Sequence, residues 1–193
     1  PRFLSFHPAS IAPPELVPLG QGPYVVRDRF QRPDSALTMG SAETGQAWSV
    51  GGTWGISSGR AYCVSNGNGN SAYVDSGVAD AIIDCIVNGQ PTDVAGYRLP
   101  AVMCRRINAS NFLLVSMYGG NLRLHKSDAG VYTSLASVAM TTTDGVDYLI
   151  RIVLRGNLVQ VLVDGVLRIT YTLAGGDTKY AVATQHGMRL ERS

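Results

Sequence analysis

Paired carboxylates, the groups that a glycan-cleaving enzyme needs, are scarce in this sequence. Hydrolysis of a glycosidic bond uses two carboxylates about 5–5.5 Å or about 6.5–9.5 Å apart, one on each side of the bond. The glutamates are only Glu15, Glu43 and Glu191, and they are widely separated along the chain. Asp144 and Asp147 are close neighbours, but they lie in a turn before a strand-like segment, where we expect them to cap that turn. The acidic residues therefore favour a protein that binds without catalysing, and no catalytic residue is predicted.

Histidine and cysteine do not form a recognisable catalytic or zinc motif. The histidines have no acid or nucleophile at a characteristic spacing, and Gly-x-Ser-x-Gly and Gly-x-x-x-x-Gly-Lys motifs are absent. A triad assembled only in space stays open, because sequence does not show proximity. The three cysteines lie singly in strand-like segments and are expected to be buried free thiols: Cys63, Cys85 and Cys104.

Aromatic, amide and guanidinium side chains provide the candidate ligand-binding groups. Trp48 and Trp54 could stack on a sugar ring, although a tryptophan in a hairpin more commonly fills the core. Asn68 lies in a wide polar turn, Asn66-Gly67-Asn68-Gly69-Asn70, of the kind that presents polar groups at the end of a β domain. With residues from the segment described next, the predicted ligand-binding set is Arg151, Gln160, Tyr171, Asn68 and Trp48.

The segment from Tyr148 to Leu173 predicts three strands joined by two tight turns, Gly156-Asn157 and Asp164-Gly165. Two-residue turns would pair Arg155 with Leu158 and Val163 with Val166. Alternation then places six large apolar side chains on one face, which must be covered: Ile150, Ile152, Leu154, Val159, Val161 and Val163. The other, mixed face carries Arg151, Val153, Arg155, Leu158, Gln160, Leu162, Leu167, Ile169 and Tyr171. A bulge at Asp164-Gly165 is the alternative, and it would turn Leu167 and Ile169 to the core.

The remaining sequence has the same character, with short β-branched and aromatic runs between glycine-rich turns. The 193 residues include 22 glycines, and no long segment has a 3.6-residue period. About twelve to fourteen strands are predicted, which is typical of a two-sheet antiparallel jelly roll and exceeds a seven-strand immunoglobulin sandwich. Such sandwiches can hold Ca²⁺ through loop oxygens, but no EF-hand-like loop is present and no cofactor or metal site is predicted. The residues that could serve are Asp28, Asp75, Asn108 and Asp177.

Charge argues against nucleic acid as a partner. The net charge is +2 and charged residues make up 16 % of the chain. The basic residues include only two lysines, Lys126 and Lys179, and the arginines are scattered, whereas nucleic-acid binding needs clustered positive charge. No apolar run reaches the roughly 18 residues of a membrane span, and the N-terminus does not resemble a signal peptide.

Residues 1–24 are expected to form a separate region, followed by a sandwich over residues 25–193. Six of the nine prolines lie in this first region, which predicts an extended segment that cannot form a helix or the interior of a β ladder. It also carries apolar side chains that a solvated linker would not need. The segment is either a connector to another domain or an arm laid over a neighbouring subunit, with partner-binding residues Phe3, Phe6, Ile11 and Leu16.

Several short motifs together resemble one family of domains. They are Asp28-Arg29-Phe30, Ser35-Ala36-Leu37, Glu43 to Trp48, Gly52 to Ile56, Gly59 to Tyr62, Arg106 to Phe112, Gly156-Asn157, Val163-Asp164-Gly165 and His186-Gly187. The pattern, over residues 26–190, resembles concanavalin A-like, laminin-G-type jelly rolls found in minor tail and other virion proteins of phages that infect actinobacteria. In such domains a final strand follows the His-Gly segment and pairs beside the first strand. The resemblance implies that here another chain supplies that strand or that the first strand has an open edge.

The resemblance and the scarcity of paired acids imply a non-enzymatic structural protein of a phage particle, outside the host cell. The most specific hypothesis is a minor tail, tail-tip or fibre component that contacts other virion proteins and copies of itself. Its jelly roll would also be able to bind glycan on the host surface. The alternatives are a capsid decoration or stabilising protein, and a glycoside hydrolase or lyase.

Overall fold

The computed structural model describes residues 3–8, 24–65, 69–88 and 98–192, with side chains described except in 3–8, 98–100 and 191–192. Fifteen strands and one short 3₁₀ segment, Gly175–Val182, make up this part of the chain. The strands are β1 Phe3–Pro8, β2 Val26–Asp28, β3 Ser49–Gly51, β4 Trp54–Ser57, β5 Arg60–Cys63, β6 Ser71–Asp75, β7 Ala81–Asn88, β8 Arg98–Asn108, β9 Asn111–Tyr118, β10 Asn121–Asp128, β11 Val131–Ala139, β12 Asp147–Arg155, β13 Leu158–Val163, β14 Val166–Thr172 and β15 Gln185–Arg192.

Two antiparallel sheets form the sandwich. The six-stranded sheet has the order β14-β13-β12-β7-β1-β2, and the seven-stranded sheet has the order β11-β10-β9-β8-β15-β6-β3. Strands β4 and β5 make a separate hairpin. One buried apolar cluster joins side chains of both sheets, including Ile83 and Ile152 from the first and Val115 and Met188 from the second. The prediction of an all-β, two-sheet jelly roll is confirmed, and no helix in the described part of the chain has the length and apolar character needed to cross a membrane.

The meander from β12 to β14 has the predicted turns and pairs. Arg155 pairs with Leu158 and Val163 with Val166. All six predicted core residues on β12 and β13 are at most 2 % exposed. Both turn residues Asp164 and Gly165 have positive φ, at 49° and 80°, which fits the type I′ turn that the Asp-Gly pair favours.

A bulge lies in β14, but not at the turn where the alternative prediction placed it. Leu162 pairs with Leu167 and Val161 with Ile169, so Arg168 is the additional residue. Ile169 therefore faces the core at 4 % exposure, whereas Leu167 stays outside at 51 %. The bulge alternative is thus right for Ile169 and wrong for Leu167.

The N-terminal segment gives the main correction to the fold. Strand β1 pairs with β7 on one side and with β2 on the other, from Phe3 opposite Ile86 to Pro8 opposite Ala81. The prediction that this region cannot form the interior of a ladder is wrong for residues 3–8. The density of prolines over 24 residues concealed a proline-free run before Pro8, whose amides are all available for pairing. Ile11 and Leu16 lie outside the described residues.

Strand β1 also bears on the edge expected beside the first predicted strand. That strand, predicted over Tyr24–Phe30, is observed as β2, and β1 of the same chain pairs with one of its sides. Its other side ends the six-stranded sheet and has no partner among the described strands, which fits the open-edge alternative. The role of the segment in binding a partner stays a prediction.

Candidate functional site

A pocket of about 630 Å³ lies between the β4–β5 hairpin, the end of β7 and strand β15. This volume is in the range of about 300–1,000 Å³ that is typical of small-molecule sites. Its described lining residues are Trp54, Ser57, Ser58, Arg60, Ala61, Tyr62, Cys63, Val87, Asn88, Ala101, Met188, Arg189 and Leu190.

The β4–β5 hairpin forms one wall because its turn and its packing are both set by local sequence. Ser58 and Gly59 have φ of 51° and 68°, which gives a two-residue turn, and Ser57 pairs with Arg60. Backbone hydrogen bonds of 2.8 and 2.9 Å between Ile56 and Ser35 hold the hairpin in place. Gly55 permits this approach, since a Cβ there would lie 2.1 Å from the carbonyl oxygen of Ser35.

The pocket has an apolar floor and a polar rim. Trp54, Cys63 and Met188 are at most 4 % exposed and supply the floor. Tyr62 is 37 % exposed and, with Ser57, presents an aromatic ring and hydroxyl groups toward solvent. An apolar surface with a few polar groups at its margin suits a ligand that has both ring faces and hydroxyls.

A carboxylate outside the lining fixes two of the polar rim residues. Asp147 accepts hydrogen bonds from both terminal guanidinium nitrogens of Arg60, at 2.9 and 3.0 Å. It also accepts one at 2.9 Å from the amide of Asn88, which donates a further bond to the Gly145 carbonyl. Asp147 was expected to cap a turn, and the hydrogen bonds seen here tie β12 to β5 and β7. Arg60 and Asn88 are therefore held in defined positions at the pocket.

Sequence analysis did not identify this pocket, because its walls come from segments far apart in the chain. Of its described lining residues, only Trp54 is among those that the sequence marked as possible sugar-stacking groups. Trp54 was expected to fill the core, and it does so while also forming part of the pocket floor.

Trp48 does not serve as a stacking surface, so its prediction as a ligand-binding residue is wrong. It is 8 % exposed, and its indole N–H donates to the buried carboxylate of Asp28 at 2.7 Å. The same carboxylate accepts two bonds of 2.8 Å from Arg32 and one from the Phe30 amide. Trp48 belongs to a buried polar cluster at the edge of the core, the outcome that tryptophan in a hairpin commonly has.

The three predicted site residues on the meander do not converge. Arg151 lies on the outer face of the six-stranded sheet and makes two bonds, of 2.7 and 2.8 Å, to the fully buried carboxylate of Asp84. This contact raises the pKa of Arg151. Gln160 shares that face, opposite Val153, whereas the bulge turns Tyr171 to the core side, opposite Val159. Asn68 lies outside the described residues.

The residues considered for calcium are also separate from one another. Asp75 accepts from Thr184 at 2.7 Å, and Asp177 accepts from Lys126 at 2.6 Å. Asn108 binds the Ser110 amide within its own turn. Within the described ranges, no three His, Cys, Asp or Glu side chains come together in a way that could hold a metal ion.

His186 is a buried titratable group in the seven-stranded sheet. Its Nδ1 accepts from the backbone N–H of Arg105 at 3.2 Å, and its Nε2 lies 3.2 Å from the Val78 carbonyl. The ring is therefore neutral with the proton on Nε2. Burial lowers the pKa of His186 to about 4. Its neighbour Gly187 lies against β6, where a Cβ would be 2.0 Å from the Ala72 carbonyl oxygen.

Comparison with known proteins gives a fold and no family. No family model matches the chain, and no curated protein sequence matches it. Among solved structures, carbohydrate-binding module CBM66 from Bacillus subtilis matches with a TM-score of 0.56 and 18 % identity, over 74 % of this chain and 85 % of that one. Sheep galectin-11 matches with a TM-score of 0.44 and 8 % identity, over 65 % of this chain and 90 % of that one. Galectin LEC-6 of Caenorhabditis elegans matches with a TM-score of 0.34 and 14 % identity, over 56 % and 91 %.

The likeness to CBM66 shows the fold of the chain, a two-sheet β-sandwich, and the phage origin that the motifs imply is not part of that finding.

Proposed function

We propose that this chain is a non-catalytic carbohydrate-binding module that holds a sugar in the pocket between the β4–β5 hairpin, β7 and β15. The observation that carries the proposal is the pocket's chemistry. Its apolar floor lies beside the exposed ring of Tyr62 and beside amide, hydroxyl and guanidinium groups. Sugars offer hydroxyls to such donors and ring faces to such aromatics. The fold shared with CBM66, which is named a carbohydrate-binding module, supports the proposal.

The carboxylates near this pocket support binding over cleavage. None of the lining residues that the structure describes is acidic. Asp147, behind the lining, already accepts hydrogen bonds from Arg60 and Asn88 on both of its oxygens. Cleavage of a glycosidic bond would need two carboxylates on opposite sides of the sugar.

In its finer form, the proposal places the module in a phage particle, most specifically in the tail, with virion proteins and copies of itself as partners. The motifs between Asp28 and Gly187 that resemble virion jelly rolls support this placement. An antibody against the sandwich should label purified particles at the tail. Labelling distributed over the head would assign the chain to the shell, and unlabelled particles would remove the virion role.

Binding is tested by screening the intact chain against a glycan array and measuring the best ligand by calorimetry. Tyr62→Ala and Asn88→Ala should each weaken binding about tenfold or more, because each removes a stacking or hydrogen-bonding group. Asn157→Ala, in the exposed β12–β13 turn, is the matched control and should leave affinity unchanged. Equal affinity of all four proteins would exclude the pocket, and release of reducing ends would show an enzyme.

A further inference from the structure

The outer face of the seven-stranded sheet carries three arginines stacked on aromatic rings, and we name this set the arginine face. The guanidinium carbon of Arg106 lies 3.7 Å from the ring centre of Tyr73, and that of Arg189 lies 4.6 Å from Phe112. The third pair is Arg123 over Tyr118, at 5.4 Å. Stacking of this kind holds a guanidinium in place while its edge stays available for hydrogen bonds.

Strand register places these groups on one surface. Arg123 pairs with Ser116, Ser116 with Ala101, and Ala101 with Arg189. Directly opposed residues share a face, so Arg123 and Arg189 lie in one row, three strand spacings of about 4.8 Å apart. Arg106 joins them through Tyr73, which packs on a small outer cluster with Met103 and Phe112. This cluster is separate from the core between the sheets.

Two of the three arginines on this face have no carboxylate partner in the described part of the chain. Within the described residues, neither Arg106 nor Arg123 makes an ion pair, and the side-chain bond of Arg106 is to the neutral amide of Gln185. Burial and the nearby cation Arg189 both lower the pKa of Arg106. An anion bound at Arg106 would stabilise its charged form against both effects.

We propose that the arginine face binds an acidic polysaccharide, with uronate carboxylates or sulfates on the arginines and sugar rings beside the half-buried side chains of Tyr73 and Tyr118. The inference rests on the proposed function in that the ligand is a glycan. Continuity of the two surfaces supports it, since Arg189 contributes both to the arginine face and to the pocket lining. When one sugar unit of a glycan is held in the pocket, the next units of that glycan therefore lie beside the arginines.

The test compares an oligogalacturonate with its methyl ester, which has the same sugars and linkages but no charge. We expect the intact chain to bind the acid at least about tenfold more tightly than the ester, with an affinity that falls as salt rises. Arg106→Gln and Arg123→Gln should each weaken binding of the acid about three- to tenfold and leave binding of the ester unchanged. Arg168→Gln, on the exposed bulge of β14 in the other sheet, is the matched control and should change neither.

The outcomes separate this inference from the proposed function. Equal binding of acid and ester that is insensitive to both arginine variants would overturn the arginine face and leave the pocket proposal standing. If no array glycan binds, and Tyr62→Ala changes nothing, the glycan function itself is wrong. Single-stranded DNA that binds as tightly as the oligogalacturonate would assign a general polyanion surface and overturn the glycan assignment. Melting temperatures within a few degrees of the parent show that the variants are folded.

Discussion

The outer faces of the two sheets carry arginines in similar mid-strand positions but have opposite electrostatic character. On the six-stranded sheet, Arg151 is neutralised by Asp84 on the neighbouring strand, and the carboxylate is fully buried. On the seven-stranded sheet, Arg106 and Arg123 stack on tyrosines and have no carboxylate partner among the described residues. An arginine in a strand therefore indicates a ligand site only when the adjacent strand does not supply its counter-ion. Arg151, which was predicted from the sequence to bind a ligand, is the arginine that has a carboxylate partner.

The largest effect on stability is expected from breaking the ion pair between Arg151 and Asp84. Asp84→Ala leaves the cation of Arg151 in a site built for an ion pair, and we expect a loss of about 3–5 kcal/mol in the free energy of unfolding. Urea denaturation monitored by tryptophan fluorescence measures it. The double variant Asp84→Leu with Arg151→Met should recover most of the loss, since it leaves no unpaired charge. A single variant within about 1 kcal/mol of the parent would show that the pair contributes little.

Lowering the pH should destabilise the protein through His186, which lies in the seven-stranded sheet. Its pKa in the folded chain, about 4, lies below the ordinary value of 6.5, so the unfolded chain takes up the proton first as the pH falls. Stability from the neutral ring is complete above pH 6.5 and is lost down to about pH 4, by about 3 kcal/mol in total.

Denaturant titrations at several pH values between 4 and 7 measure the slope of the free energy of unfolding against pH. His186→Gln retains a donor and an acceptor but does not titrate, and it should flatten the slope in this window. An unchanged slope in the variant would assign the acid sensitivity to other groups.

The bulge in β14 sets which residues of that strand belong to the core and which to the surface. Ile169→Ala should cost about 3 kcal/mol, because it opens a cavity beneath Val161. Leu167→Ala, two residues away and half exposed, should cost less than about 0.5 kcal/mol. Equal losses from the two variants, measured by thermal and chemical unfolding, would contradict the register at Arg168.

A small effect on stability is also expected on the arginine face itself. Arg106→Gln should change the free energy of unfolding by less than about 1 kcal/mol, since it removes a partly exposed stack over Tyr73. The same substitution at Arg151 should cost several times more, because it leaves the Asp84 carboxylate buried without its cation. Similar costs at the two positions, in parallel denaturation experiments, would remove the contrast between the faces.

Local signals in the sequence predicted the local structure well. The Gly156-Asn157 and Asp164-Gly165 turns determine the register of β12 to β14, because a two-residue turn leaves one way to pair the flanking strands. The fold class followed from the number of such strands. The position of the bulge could not be predicted from the sequence. Moving the extra residue from the turn to Arg168 changes the face on which Leu167 lies but does not change the local composition.

The candidate functional residues were less predictable, because the role of each depends on partners that are far away in the sequence. Asp84 decides the role of Arg151, and Asp28 decides that of Trp48, yet neither contact has a sequence signature. The pocket joins β5, β7 and β15, which are brought together only by the complete sandwich. Strand β1 was missed for a different reason, since prolines around it masked a run that is suited to pairing.

The position of β1 constrains the order in which the chain can assemble. During synthesis β1 leaves the ribosome well before Ile86, the partner of Phe3, and strands β3 and β6 of the other sheet emerge between them. Such distant pairing is slow to form, because a long loop must close before the contact is gained. Strand β7 thus lacks one neighbour until this closure, so the docking of β1 decides when that side of β7 is no longer open to pairing with other chains.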